Sequence, residues 1–108
     1  MPDAKGFLIV TCKIDPRKKG DLKHYLAGAG PIFAQHDGHA VGQWAVAETN
    51  TGESQTTHII IMEFPSQNAI RGALEDPKYI ELIPSRTQAF PVLDIMIAEA
   101  FEPASLLG

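Results

Sequence analysis

The chain has 108 residues, 44% apolar and 20% charged, with a formal net charge of −4. This is the composition of one globular domain rather than a disordered segment. The acidic balance argues against a nucleic-acid surface, which is normally basic, and no apolar run approaches the ~20 residues needed to cross a bilayer. A single cysteine, Cys12, excludes an internal disulfide framework. The N-terminus carries no signal-peptide apolar region, and the expected compartment is the cytoplasm.

Residues 6–14 read as a first strand, stopped by Asp15-Pro16, because proline cannot continue the ladder and restrains the residue before it. Over residues 18–36 apolar side chains recur at Leu22, Tyr25, Leu26, Ala29, Ile32 and Phe33, which is helical spacing. Gly28, Gly30 and Pro31 interrupt this run and predict a kink or two short helices. Asp37-Gly38 then forms a turn, with Gly38 expected at positive φ. Residues 39–47 and 56–64 form a hairpin of two strands around a polar connection at 50–54. Ser66 caps a helix that carries Ala69, Ile70, Ala73 and Leu74 on one face. Asp76 caps a further helical turn with Pro77 at its first position. Tyr79, Ile80, Leu82 and Ile83 are its buried side, and Pro84 bends or ends it. Residues 91–101 form the last strand, so that one domain spans 5–101 and a tail follows over 102–108.

The order βαββαβ predicts an α+β, ferredoxin-like domain with a four-stranded antiparallel sheet and helices on one face. Right-handed, short connections favour the spatial order of fourth, first, third and second strand. The strands themselves make a further demand. Phe7-Leu8-Ile9-Val10, Ile59-Ile60-Ile61-Met62, and Val92-Leu93 with Ile95-Met96-Ile97-Ala98 do not alternate apolar with polar, so both faces of the sheet are dry. The helices cover one face only. An apolar patch of that size is rare on monomers, and the expected partner is a second copy of the chain, packed sheet to sheet in a dimeric α/β barrel. At ~25 cal/mol per Å² of apolar surface, burial of that face is a large stabilising contribution.

Glu63-Phe64-Pro65-Ser66 followed by Ala69, then Asp76-Pro77-x-Tyr79 and Arg86, resembles the signature of family 1330 of the domains of unknown function. That family is an uncharacterised branch of the dimeric α/β-barrel superfamily. Lys5-Gly6-Phe7, Asp15-Pro16 and Pro31 ahead of Asp37-Gly38 fit the same pattern, and the similarity spans residues 5–101. The resemblance implies a homodimeric ferredoxin-like barrel. It implies no settled reaction, since superfamily relatives include cofactor-free monooxygenases, lactone isomerases, haem-handling enzymes and stress-related proteins. Gln43 stands where a basic residue is expected in the second strand, and Ala100 where a late glycine is expected, so the resemblance carries no anion-binding role for that strand.

Two constellations are candidates for chemistry. Hairpin geometry sets Ala47 near Thr56 or Thr57 and Ala40 or Val41 near Glu63, which separates His58 from His39 by roughly six or seven residues at ~3.3 Å each. The first candidate is His58 with Asp94, joined by His24, where a histidine beside a carboxylate acts as a base towards an acidic C–H or a phenol. The bland alternative leaves His58 in solvent at the strand end and Asp94 bonded to backbone or to the dimer partner. The second is Glu63 with His39 and His36. Shielding by the preceding isoleucines would raise its pKa, whereas the following helix N-terminus would stabilise it as a structural carboxylate. Trp44, Tyr79 and Arg86 suit the lining of a pocket for an aromatic or carboxylated ligand. Trp44 equally suits a dimer core, and Arg86 an ion pair with Glu81 or Asp94. Cys12 reads as packing. No metal is expected, because His36-Asp37-Gly38-His39 spans a tight turn without a helical pair or a cysteine. No cofactor is expected either; haem, possible only by fold analogy, would need an axial ligand from His24, His36 or His58.

The favoured reading is therefore a homodimeric barrel that binds a small organic ligand, with His24, Trp44, Tyr79 and Arg86 contacting it; whether it is also a cofactor-independent enzyme of monooxygenase or isomerase type, with His58, Asp94 and Glu63 as reactive groups, the sequence leaves open. The alternative is a non-enzymatic dimerisation or stress-associated module. RNA binding, a third reading, is opposed by the acidic charge and by the lack of paired exposed aromatics on the central strands. Neither nucleic acid nor membrane is an expected partner.

Overall fold

Continuous runs of β-branched and large apolar residues form the strands β1 (Gly6–Lys13), β2 (His39–Ala45), β3 (His58–Phe64) and β4 (Val92–Ala98). In the computed structural model, which describes residues 4–108, they build one antiparallel sheet in the order β2-β3-β1-β4. The helices are α1 (Lys19–Gln35), α2 (Gln67–Glu75), α3 (Pro77–Ile80), α4 (Ile83–Ala89) and a terminal α5 (Ala104–Leu107). This is the expected ferredoxin-like plan with the expected strand order. The strands are shorter at their ends than the sequence suggests, although one further bond, from the Val46 N–H to the Thr57 carbonyl at 2.8 Å, extends the β2–β3 pairing.

Antiparallel register sorts each strand by parity. On β1, Leu8 and Cys12 are buried and Val10 packs against them. Their partners are Met62, Ile60 and His58 on β3, and Ile97, Ile95 and Leu93 on β4. Directly opposed residues share a face, so this set lies under the helices. Tyr25, Ala29, Ile32 and Phe33 of α1, Ile70 and Ala73 of α2, Tyr79 of α3 and Ala89 of α4 complete that core. Phe7, Ile9 and Thr11, with Ile59, Ile61, Met96 and Ala98 opposite them, point the other way. They are half-buried or exposed, and no helix covers them. The chain has a radius of gyration of 15.2 Å and measures 17 Å in its thinnest direction; a compact chain of this length has a radius of about 13 Å. The protomer is a flat, two-layer slab.

Local signals explain the boundaries. Ser66 caps α2 by accepting from the Ala69 N–H at 3.1 Å, and Asp76 caps α3 by accepting from the Lys78 N–H at 2.9 Å. Pro31 does not split α1, which runs unbroken from Lys19 to Gln35. A proline there forfeits one backbone bond, but buried Tyr25 and Ala29 before it and Ile32 and Phe33 after it lie on one face and hold both halves to the core. The turn after α1 also differs from expectation. Asp37, not Gly38, takes the left-handed conformation, with φ of 65°. The Gly38 N–H donates to the Phe33 carbonyl at 2.9 Å and the Asp37 N–H to the Ala34 carbonyl at 3.0 Å, a Schellman closure. Gly38 is needed for space: a Cβ there would fall 2.4 Å from the Phe64 ring.

Gly6 is equally constrained, because a Cβ would lie 2.8–2.9 Å from the backbone of Ser66 and Gln67. Replacement by alanine is expected to cost about 1–3 kcal/mol in urea unfolding, as backbone must move to admit the methyl group. Gly20, in the first turn of α1 with nothing within 4 Å of its Cβ position, provides the control: Gly20→Ala is expected to raise stability by up to ~1 kcal/mol.

Candidate functional site

Between α1 and the sheet the core is incomplete. Tyr25, Ala29 and Phe33 of α1 and Leu8, Val10, Ile60, Met62 and Leu93 of the strands enclose a cavity of about 340 Å³, which Leu26, Gly30, Ala40, Gln43 and Phe90 also border. It falls at the lower end of the size range of small-molecule sites, and its walls are almost wholly apolar. A neighbouring recess of about 250 Å³ shares Leu26, Gln43, Ile60 and Phe90 and extends to His58, Ala45, Leu22 and Ile14. The two form one groove along the β2–β3 side of the sheet.

A bulge decides which residues of β2 reach it. Ala40 pairs with Met62 and Gly42 with Ile61, leaving Val41 as an extra residue. An inserted residue reverses the parity downstream. Gln43 therefore opposes Ile60 on the cavity side, while Trp44 opposes Ile59 on the uncovered side. The Trp44 ring lies across Gly42, whose Cβ position is 2.6 Å from the indole.

At the inner end of the cavity a polar chain crosses the core. The hydroxyls of Tyr25 and Tyr79 are 2.8 Å apart, and Arg86 Nη1 donates to the Tyr79 oxygen at 3.1 Å. The guanidinium also lies 5.7 Å from the centre of the Tyr79 ring. Tyr79 is buried against both Tyr25, edge on, and Phe33. Burial, reinforced by Tyr79, pushes the Tyr25 phenol far above its ordinary range, so it remains protonated. Burial likewise raises the Cys12 thiol, which donates weakly to the His58 carbonyl and behaves as packing.

The structure separates the residues of the first sequence constellation. His58 opposes Cys12, whereas Asp94 opposes Thr11, one position along β1. The two side chains project from opposite faces of the sheet, so they form no dyad. His58 borders the recess and shares a 2.8 Å bond between Nδ1 and the Thr57 hydroxyl. His24 is exposed on α1 and Asp94 is exposed on β4. In the second constellation Glu63 and His39 do meet, at 2.9 Å, and Lys5 Nζ takes the other carboxylate oxygen at 3.3 Å. Glu63 keeps 20% side-chain exposure and lies on the face away from the cavity. It is a largely shielded carboxylate, paired twice near a strand end, and not a group bonded to the N-terminus of α2. His36 does not join it; its Nε2 bonds Asp76 Oδ2 at 3.0 Å and ties the end of α1 to the start of α3. Tyr79 and Arg86 border neither the cavity nor the recess and bond each other instead; Arg86 pairs with neither Glu81 nor Asp94, and its Nε is buried without a partner among the described residues. Tyr25, read from the sequence as a core residue of the helix, is the polar wall of the cavity. Its sequence signal was ambiguous, since a tyrosine on an apolar helix face is usually core. No group of three or more His, Cys, Asp or Glu among the described residues could hold a metal ion, and no helix there is long and apolar enough to cross a membrane.

Comparisons with known proteins agree with this architecture. Residues 5–101 match the family described as a domain of unknown function, DUF1330. No curated protein matches the sequence. Among solved structures, a protein of unknown function from Rhodopseudomonas palustris is similar at a TM-score of 0.80 and 20% identity, covering 94% of this chain and 85% of that one. A hydroxynitrile lyase from Passiflora edulis superposes at a TM-score of 0.70 and 12% identity, covering 94% and 97%. A variant of a cofactor-independent oxygenase from Streptomyces nogalater does so at 0.63 and 12%, covering 91% and 94%. A dimeric protein of unknown function with a ferredoxin-like fold from Bacteroides fragilis matches at 0.59 and 11%, covering 93% and 100%. At these identities the likeness is one of fold: the dimeric α/β-barrel plan, which carries more than one chemistry.

The His36–Asp76 contact gives a pH signature. The hydrogen bond from His36, followed by that from the Lys78 N–H, holds the Asp76 carboxyl below its ordinary value. A depressed folded-state pKa contributes stability above the unfolded value of about 3.9 and loses it as pH falls through the folded one. Asp76→Asn is therefore expected to lower the thermal midpoint at neutral pH, and the gap to the native protein should close on acidification below about pH 4.

Proposed function

Because the chain belongs to the DUF1330 family of domains of unknown function, for which the fold alone supplies no reaction, we propose from its own geometry that it is a homodimer, joined through the uncovered sheet face, that binds a small organic molecule between α1 and the sheet. The cavity carries this reading. Native interiors are close-packed and apolar voids cost stability. A space of about 340 Å³ behind Tyr25, Ala29 and Phe33 is reasonably kept open for an occupant. Its walls select an apolar body; Gln43, Tyr25 and, along the recess, His58 supply the few polar contacts that orient it. Tyr79 and Arg86 act behind Tyr25, His24 stands outside the groove, and Trp44 borders only its recess. The finer reading is a cofactor-independent reaction in this groove, with His58 as base. Asp94 and Glu63, on the opposite face, belong to the proposed dimer interface. A cytoplasmic setting suits the free, buried Cys12.

The dimer rests on the second apolar face. Phe7, Ile9, Ile59, Ile61 and Met96 make a surface across β3, β1 and the edge strand β4, where the helices offer no cover. Ile61→Lys puts a charge in its middle and is expected to shift the protein from twice the 11.7 kDa chain mass to the monomer in size-exclusion chromatography.

Native mass spectrometry of protein purified without denaturation tests the cavity. The expected result is a dimer carrying an additional small-molecule mass. Val10→Phe, which fills the cavity from its floor, is expected to lower the occupied fraction at least tenfold with the dimer retained. A clean, empty dimer in both proteins would favour the non-enzymatic dimerisation module instead.

A further inference from the structure

The polar chain at the inner end of the cavity has a direction. A guanidinium has donors only, so the Tyr79 oxygen accepts from Arg86 at 3.1 Å. The 2.8 Å contact between the two tyrosines then admits two arrangements. If Tyr25 donated to Tyr79, the Tyr79 hydrogen would be stranded in a side chain that is 1% exposed, with no other acceptor among the described residues. If Tyr79 donates to Tyr25, both tyrosine oxygens and the Tyr79 hydrogen are paired, and the one hydroxyl hydrogen left over is that of Tyr25, which lines the cavity. Buried polar hydrogens left unpaired are costly, so the second arrangement wins. Its charge also points one way. Arg86 forms no ion pair among the described residues, and its Nε is buried and unpartnered. A half-buried cation without a counter-charge polarises the chain ahead of it and favours negative charge at the far end.

We propose that Tyr25 is a hydrogen-bond donor aimed into the cavity, oriented and polarised by Arg86 through Tyr79, and that the ligand is an apolar molecule bearing a carbonyl or an ionised oxygen, such as an enolate or phenolate. This rests on the cavity reading above and adds the chemical class of its occupant. The burial that keeps the Tyr25 phenol protonated keeps it a donor towards such an oxygen at any working pH. A pre-oriented donor in a water-poor site is the arrangement that stabilises oxygen-centred negative charge.

Two probes of equal shape separate the inference from its premise: 4-nitrophenol at a pH where it is ionised, and 4-nitrotoluene, which has a methyl group in place of the oxygen. Affinities are measured for the native dimer, Tyr25→Phe and Tyr79→Phe by calorimetric titration. Tyr25→Phe is expected to weaken 4-nitrophenolate by about 10- to 100-fold, the range for a hydrogen bond to a charged group, and to leave 4-nitrotoluene within about twofold. Tyr79→Phe, which keeps the donor but cuts it from Arg86, is expected to fall between. The absorbance of bound 4-nitrophenol gives a second readout, since the donor lowers the pH at which the bound probe ionises in the native protein and not in Tyr25→Phe. Equal losses for both probes, or none for either, with native binding intact, would overturn the donor while the cavity reading stands. Failure of both probes to bind the native protein would overturn the cavity reading, and the donor with it.

Discussion

The sheet has two apolar faces and a single layer of helices, and most of the molecule follows from that mismatch. Antiparallel register places Leu8, Val10 and Cys12 with their partners on one side, and Phe7, Ile9 and Thr11 with theirs on the other. The first set is covered by α1 to α4. The second consists largely of side chains that water disfavours, and it spans a slab only 17 Å thick. Burying such a face against a like surface would remove it from water, which is the physical basis of the dimer proposed above.

The covered side is not uniform. Beneath α2 and α3 the core is tight: Phe64, Ile70, Ala73 and Tyr79 are at most 1% exposed, and Gly6 and Gly38 are small because Ser66, Gln67 and Phe64 press on them. Under α1 the helix spans a gap instead of filling it, leaving Ile60 and Met62 half-buried. The protein thus divides its sheet between a rigid, capped half and an open half. The polar chain from Arg86 through Tyr79 to Tyr25 runs from the first to the second, and its direction follows from arginine having no acceptor.

Much of the fold was legible in the chain. Pro16, Ser66, Asp76 and Pro77 mark boundaries through backbone chemistry that acts within a few residues, and the uninterrupted apolar strands announce a sheet dry on both faces. The site was legible only in fragments. Tyr79 and Arg86 stood out, with Trp44, because aromatic rings and a guanidinium suit a ligand pocket, but their bond to each other had no sequence signal. The His58–Asp94 dyad failed because residues on different strands share a face only if their register agrees in parity, and here it differs by one. Glu63 is shielded, as its isoleucine neighbours suggested, but Lys5 and His39, which pair with it, approach from another segment and from β2.

Composition, periodicity and caps by themselves determined the element order, the ferredoxin-like class and a sheet apolar on both faces, since these depend on local sterics and on which residues the strands contain. Only the tertiary structure decided which side chains meet. One extra residue at Val41 turns Gln43 towards the cavity and Trp44 away from it, and that parity has no signature in a run of residues 39–47. The bond between Tyr25 and Tyr79 joins positions 54 residues apart, brought together by the packing of α1 on α3. Long-range contacts of this kind depend on how the helices seat on the sheet, so they become visible only when the whole core is assembled.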